Sequence, residues 1–164
     1  MTRVLRWSAA LLLLTSGSAH AVNPPPMKEG LWSIRNQTSV TPGNKLSDST
    51  STICRTHAYD QHVLGAEKTA KGCSTISESM QGSKYSIQTH CVMGATVIES
   101  TSTVIFKGDA ETHSETHATY TPAMGGVNGM TLIQDQKYLG SCPAGVQPGD
   151  MTSPDGTVIH LWKH

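Results

Sequence analysis

Four side chains with possible chemistry alternate along one short segment, Glu111-Thr-His113-Ser-Glu115-Thr-His117. If the segment is a β-strand, residues two apart point the same way, so the four form one row with neighbours about 7 Å apart. Carboxylate and imidazole groups at that spacing can share a zinc or copper ion, which would need a third or fourth ligand from another strand. His90 is the nearest candidate by residue type. The pattern indicates either a metal site or, as the favoured interpretation, the solvated face of an antiparallel sheet.

The segments before this row predict that it lies in a sheet of hairpins. Polar and apolar residues alternate at residues 73–80 and 85–91 on either side of Gly82-Ser83. This pattern predicts a hairpin with a type II′ turn, because Gly82 can adopt the positive φ that the first turn position requires. Two more alternating runs follow around Gly108-Asp109, and the second of them carries the row.

The rest of the chain predicts mainly strands. Alternation predicts further strands at residues 30–40, 46–54, 95–106, 110–120 and 130–139. Residues 56–64 have the one helix-like pattern, with Gly65 as a possible end, and residues 122–129 predict a flexible loop. Residues 157–162 could add an edge strand or cover the sheet. The predicted fold class is all-β, an antiparallel meander sheet, curved or forming a half-open barrel, with one short helical crossover and two disulfides.

The N-terminus has the pattern of a secretory signal peptide. Arg3 and Arg6 precede a short apolar run at residues 9–14, and Ala19-His20-Ala21 is a small-x-small cleavage triplet. We therefore expect an exported, periplasmic protein that is cleaved after Ala21. The chain then divides into a signal peptide at 1–21, an extended lead-in at 22–29, a β-domain at 30–142 and a C-terminal tail at 143–164.

The composition of the mature chain argues against several partners. Loss of Arg3 and Arg6 with the leader leaves ten basic and twelve acidic residues, a net charge of about −2 with neutral histidine. This balance provides no basic field for nucleic acid or for an anionic membrane. No later segment approaches transmembrane length, so we expect no transmembrane segment after signal cleavage.

The four cysteines are expected to form two disulfides in an oxidising compartment. Cys73 and Cys91 should lie at the same end of the sheet, because a hairpin returns to its start. Cys142 lies three strands later at the opposite end, which Cys54 can reach if residues 55–72 cross the sheet. The pairing Cys54–Cys142 with Cys73–Cys91 satisfies this, whereas Cys54–Cys73 with Cys91–Cys142 would join opposite ends. A strict two-residue turn places Cys91 opposite Ser74, so the favoured pairing requires a bulge.

A curved sheet could also hold a hydrophobic molecule, since alternate residues point inward and a cavity forms when closure leaves unfilled space. The lining residues of such a site would be Trp32, Ile34, Tyr85, Ile87, Val104 and Leu132. The same residues would equally form a plain hydrophobic core.

Other chemistries find little support in the sequence. Methionines occur at 80, 93, 124, 130 and 151 without the close clustering of a copper-binding motif, so they are predicted to pack in the core and loops. No serine lies in a nucleophile elbow, and the glycine-rich residues 124–129 lack the lysine and following helix of a phosphate loop. We expect neither an enzyme nor a cofactor.

The layout resembles the bacterial domain of unknown function family 3617 over residues 26–158. The shared features are Gly30-Leu-Trp32 opening a strand, a cysteine closing the next, the Cys-hairpin-Cys unit, a strand pair around Gly108-Asp109, a strand running to Gly140-Ser-Cys142, and the ending Cys142-Pro-Ala-Gly-Val-Gln-Pro-Gly-Asp-Met151 with Pro154-Asp-Gly. The resemblance implies an exported β-domain of Gram-negative bacteria and supplies no catalytic residues.

Two functions are therefore considered. The first is a non-enzymatic periplasmic binding or accessory domain that holds a small hydrophobic ligand or contacts an envelope protein. The alternative is a periplasmic metal-binding protein that uses the row formed by Glu111, His113, Glu115 and His117.

Overall fold

The computed structural model of the protein describes residues 22–43 and 45–162. The predicted signal peptide, residues 1–21, lies outside the described residues. Nine strands and one helix form the described part of the chain. The strands are β1 Gly30–Thr41, β2 Lys45–Arg55, β3 Cys73–Gln81, β4 Lys84–Met93, β5 Thr96–Lys107, β6 Glu111–Met124, β7 Val127–Gly140, β8 Asp150–Thr152 and β9 Val158–His160, and the helix α1 is His57–Lys68.

All nine strands form one antiparallel sheet in the order β3-β4-β5-β6-β7-β1-β2-β8-β9. Strands β3 to β7 are a meander of consecutive hairpins, and β1 lies between β7 and β2. The edges β3 and β9 are not paired with each other, so the sheet is not closed into a barrel. The predicted all-β fold class is confirmed.

The sheet has two faces and two ends, and each is named here after one of its residues. Paired residues of an antiparallel sheet point to the same face, so the Trp32 face holds Trp32 and its partners, and the His113 face holds His113 and its partners. The Lys107 end of the sheet contains the β5–β6 turn at 108–110, and the Met124 end contains the β6–β7 turn at 125–126.

The predicted loop at residues 122–129 is wrong, because β6 continues to Met124 and β7 begins at Val127. Gly125 and Gly126 have φ values of 59° and 82°, and Met124 pairs with Val127 across them. Two consecutive positive φ values suit the right-handed twist of a two-residue hairpin, and glycine adopts them without steric cost. The glycines of this segment thus form a tight two-residue turn and not a flexible loop.

The disulfides follow the favoured pairing, Cys54–Cys142 and Cys73–Cys91. The bulge that this pairing requires lies in β3, where Thr75 pairs with Thr89 and Ser77 with Gln88, leaving Ile76 unpaired. Because Ile76 is left out of the ladder, Cys73 lies opposite Cys91.

Helix α1 provides the crossover from the end of β2 to the start of β3. Thr56 caps it, accepting a hydrogen bond from Tyr59 N at its side-chain oxygen. The prediction that the helix could end at Gly65 is wrong: it continues to Lys68, and the Thr69 backbone N–H and hydroxyl both donate to Gly65 O.

The buried core lies at the Lys107 end on the Trp32 face. Its cluster consists of Met27, Trp32, Ile53 and Tyr59, with Ile34, Val63, Phe106, Tyr138, Met151 and Trp162 packed against it. Trp32 is completely buried, and its indole Nε1 donates to Lys28 O at 2.9 Å. The core therefore joins the lead-in, the helix and the sheet.

The C-terminal tail adds an edge to the sheet. Strand β8 pairs with Thr52 and Ile53 of β2, and β9 pairs with β8, so the edge-strand prediction for the terminal run is confirmed while β8 was missed. The chain then returns to α1, where the Trp162 ring stacks on His62 with ring centroids 5.6 Å apart.

Candidate ligand-binding face

The six side chains predicted to line a ligand site all lie on the Trp32 face. They are Trp32 and Ile34 on β1, Tyr85 and Ile87 on β4, Val104 on β5 and Leu132 on β7. Tyr85 is paired with Val104 across β4 and β5. Leu132 is paired with Thr38 across β7 and β1. The set is thus spread over four strands of one face.

Burial divides the six into two groups. Trp32 and Tyr85 are 0% and 5% exposed, and Trp32 belongs to the buried core. The other four are half-buried, as are Val40, Ile98 and Met130 on the same face towards the Met124 end. Full burial of apolar side chains on this face is therefore concentrated at the Lys107 end, where the lead-in and α1 pack against it.

Arg55 contacts three side chains on this face. Its Nε donates to Asp60 Oδ1 at 2.8 Å, its Nη1 donates to Gln136 Oε1, and its guanidinium carbon lies 4.8 Å from the centre of the Trp32 ring. The Arg55 and Asp60 side chains are 15% and 18% exposed. The ion pair is therefore shielded from water, and the cation is further stabilised by the aromatic face.

A chain of amide side chains continues from Arg55 across β7 to β1. Gln136 Nε2 donates to Gln134 Oε1, and Gln134 Nε2 donates to Asn36 Oδ1 at 2.8 Å. These three amides lie on the Trp32 face between Ile34 and Leu132. In this series each side chain donates to the next one, starting from the Arg55 guanidinium and ending at Asn36.

Hydroxyl pairs occupy the same face on β4, β5 and β6. Thr89 Oγ1 and Ser100 Oγ are 2.7 Å apart, and Ser102 Oγ and Thr116 Oγ1 are 2.8 Å apart. Along β5, Ser100 and Ser102 lie between the apolar side chains of Ile98 and Val104. The Trp32 face thus combines aliphatic side chains with uncharged hydrogen-bonding groups.

The predicted row of Glu111, His113, Glu115 and His117 lies on one face of β6, the His113 face, opposite the apolar set. Its side chains are engaged by individual neighbours. Glu111 Oε1 lies 3.5 Å from Lys137 Nζ, His113 Nδ1 lies 2.7 Å from Asp135 Oδ1, and His117 Nε2 lies 2.8 Å from Glu115 Oε1.

The geometry does not converge on a metal position. Among the described residues, no group of three or more His, Cys, Asp or Glu side chains is placed to hold a metal ion. His90, the candidate further ligand, lies on the same face of β4, with β5 between it and β6, and its Nδ1 is 3.7 Å from Glu99 Oε1. The strands that carry His90 and His117 are therefore about 10 Å apart.

Two shallow depressions lie on the His113 face. One, of about 470 Å³, includes Ile76, His90 and His117, and the other, of about 290 Å³, includes Arg35 and Lys107. The Arg35 guanidinium donates to both carboxylate oxygens of Asp48, which lowers the Asp48 pKa and raises that of Arg35. These charges are already paired and half exposed.

Sequence reasoning missed Arg55 and the amide chain. Arg55 and Gln136 are 81 residues apart, and Gln134 and Asn36 are 98 apart. The one local signal was the position of Arg55 itself, directly between the strand that ends at Cys54 and the capping residue Thr56. The contacts become visible only when the β1–β7 pairing is known.

Two further properties bear on where the protein works. Two disulfides are typical of proteins outside the cytoplasm. Within the part of the chain that the structure describes, no helix has the length and apolarity required to cross a membrane.

Comparison with known proteins identifies a family and no activity. No curated protein is significantly similar to this chain. The model of the family described as protein of unknown function DUF3617 matches residues 27–142, from the buried Met27 to the second cysteine of the long-range disulfide. The match covers all of β1 to β7 and most of the sequence, and the chain belongs to the DUF3617 family.

Proposed function

We propose that the protein is a non-enzymatic binding domain of the periplasm that holds a small hydrophobic ligand against the Trp32 face. The observation that carries this proposal is the half-buried apolar set on that face, formed by Ile34, Ile87, Val104 and Leu132, in a sheet that remains open. Apolar side chains on the inner face of an open or closed β-sheet are a common lining for such ligands.

The polar groups of the face would select the ligand. Amides and hydroxyls such as Asn36, Gln134 and Thr116 are interspersed with the aliphatic side chains and are engaged with one another. A ligand with a hydrocarbon body and a few hydroxyl or carbonyl groups would match this mixture. A highly charged ligand would be disfavoured, because the Arg55 cation is already paired with Asp60.

The periplasmic location rests on two independent features. The basic start, apolar run and Ala19-His20-Ala21 triplet support export, and the two disulfides support an oxidising compartment. The non-enzymatic assignment rests on the sequence, which contains no recognisable nucleophile elbow or phosphate loop.

The first test compares the native mass of the exported protein with its denatured mass. Extra mass that organic solvent removes supports the ligand, and a stoichiometric second polypeptide would instead support an envelope partner. A metal removed by chelator would support the alternative function.

The second test locates the binding face with two adjacent residues of β7. Leu132→Glu places a charge on the Trp32 face, and Ile133→Glu places it on the His113 face, both at half-buried positions. Saturable binding of an environment-sensitive apolar dye should weaken at least tenfold in Leu132→Glu and remain within twofold in Ile133→Glu. Equal effects of the two substitutions would contradict the proposal.

A further inference from the structure

Two neighbouring hairpin turns at the Met124 end carry no charge, unlike the turns at the Lys107 end. At the Lys107 end, Lys84 and Lys107 begin or end the strands next to the turns, and Asp109 lies within one. At the Met124 end, residues 91–98 of the β4–β5 hairpin and residues 119–133 of the β6–β7 hairpin contain no Asp, Glu, Lys, Arg or His. These two neighbouring hairpin turns are therefore uncharged, and the lysines at this end, Lys45 and Lys71, lie outside them.

The uncharged turns expose large apolar side chains. Val92 and Met93 are 50% and 57% exposed at the end of β4, and Met124 is 41% exposed at the end of β6. Ala95 and Ala123 beside them are also exposed. Exposed apolar side chains that cluster at one place indicate a contact with another apolar surface.

The register places the two turns side by side. β5 separates β4 from β6, so the hairpins are about 10 Å apart across the sheet. Val97 is paired with Thr121, and β6 then continues for three more residues to Met124. The β6–β7 turn therefore projects beyond the last β5–β6 pair, next to the β4–β5 turn.

Both turns are held by their surroundings. The Cys73–Cys91 disulfide lies directly before Val92, and Val92 N donates to Gly72 O at 2.7 Å. The Met124–Val127 pair closes the other turn. The exposed apolar side chains are therefore presented on ordered backbone.

We propose that the Met124 end docks on the surface of a lipid bilayer by inserting Val92, Met93 and Met124 among the lipid chains. Separate projecting tips suit a deformable lipid surface better than the fitted surface of a protein, and tips without charge enter the interface without desolvating an ion. Methionine adapts its unbranched side chain to such an environment. Exposed Lys71 lies beside Gly72 at this end, at a position where a cation can meet lipid phosphates.

The proposal is independent of a ligand on the Trp32 face and is tested by vesicle flotation. The exported protein, checked by mass for loss of residues 1–21, is mixed with phosphatidylcholine vesicles or with vesicles that also contain phosphatidylglycerol. We expect flotation with both. Met93→Asp combined with Met124→Asp should lower the floating fraction at least tenfold.

The matched control is Leu139→Asp. Leu139 is 53% exposed, like the tip residues, but lies at the Lys107 end. This variant should float as the unsubstituted protein does, and all variants should keep the same unfolding midpoint because the substituted side chains are exposed. Failure of the unsubstituted protein to float, equal loss in Leu139→Asp, or flotation restricted to anionic vesicles at low salt would each overturn the proposal.

Discussion

Cys73 lies directly opposite Cys91 across β3 and β4 because Ile76 is bulged out of the β3–β4 ladder, so that Thr75 and Ser77 occupy consecutive paired positions. The Ile76 side chain is 64% exposed in the edge strand. A bulge on an edge strand also hinders further strand pairing. The bulge at this one residue thus keeps the two cysteines in register and shapes this edge of the sheet.

Deletion of Ile76 should leave the Cys73–Cys91 bond intact, because Thr75 and Ser77 already occupy consecutive positions opposite Thr89 and Gln88. Deletion of residues 75–76 together should instead place Cys73 opposite His90, facing the other side of the sheet. Thiol titration and peptide mapping would distinguish the two variants. Loss of the bond in the single deletion would show that the bulge itself is required.

Removal of Arg55 should be much more costly than removal of another paired arginine. Arg55→Met leaves the shielded Asp60 carboxylate without its cation and removes the contact with Gln136, so we expect a loss of about 3 kcal/mol in the free energy of unfolding. Arg35→Met breaks a half-exposed pair with Asp48 and should lower the free energy of unfolding far less, because water already solvates both charges. Urea unfolding of both variants measures the difference.

A double-mutant cycle separates the Arg55–Asp60 pair from other effects. Asp60→Asn added to Arg55→Met should cost less than the sum of the two single changes, since each single change leaves a partner unpaired. Strict additivity, or equal losses in Arg55→Met and Arg35→Met, would contradict the central role of Arg55.

Alternation along each strand predicts which face a side chain occupies, which is why the apolar set and the row of Glu and His residues were each placed on one face correctly. Local turn residues likewise predict the hairpins around Gly82 and Gly108. The bulge followed from a geometric requirement of the cysteines and was predicted without its exact position. These features depend on residues close together in the chain.

The features that sequence reasoning missed depend on distant residues. The pairing of β1 with β7 sets the Arg55–Gln136 contact, and many strands with similar alternation could have occupied that place in the sheet. Strand β8 is three residues long and is defined by its pairing with Thr52 and Ile53. Such a short strand has too few residues for a period-two pattern.

The row on the His113 face should not act as a metal site. His113 and His117 are each engaged by a neighbouring carboxylate, and His90 lies two strands away. One equivalent of zinc should therefore leave the unfolding midpoint unchanged, since only a ligand that binds the folded state stabilises it. Stoichiometric zinc that is lost when His113 and His117 are both changed to Ala would restore the metal hypothesis.

The β8–β9 ribbon depends on one buried carboxylate. Asp150 Oδ2 accepts a hydrogen bond from Gln147 N at 2.9 Å, and Oδ1 is bonded by His160 Nδ1. The backbone donor of Gln147 and then the His160 side chain lower the pKa of Asp150. Because Asp150 is 6% exposed, its ionised form relies on these donors rather than on water.

Acid should therefore release the β8–β9 ribbon. A carboxylate whose pKa is lowered by folding stabilises the fold fully above its unfolded pKa of about 3.9, and this contribution is lost as the pH falls through the lower folded value. Amide hydrogen exchange of β8 and β9 should accelerate relative to β6 below about pH 4. In Asp150→Asn the ribbon should exchange faster at neutral pH and lose this acid dependence, whereas Asp48→Asn should retain it. An unchanged acid dependence in Asp150→Asn would assign the effect to another carboxylate.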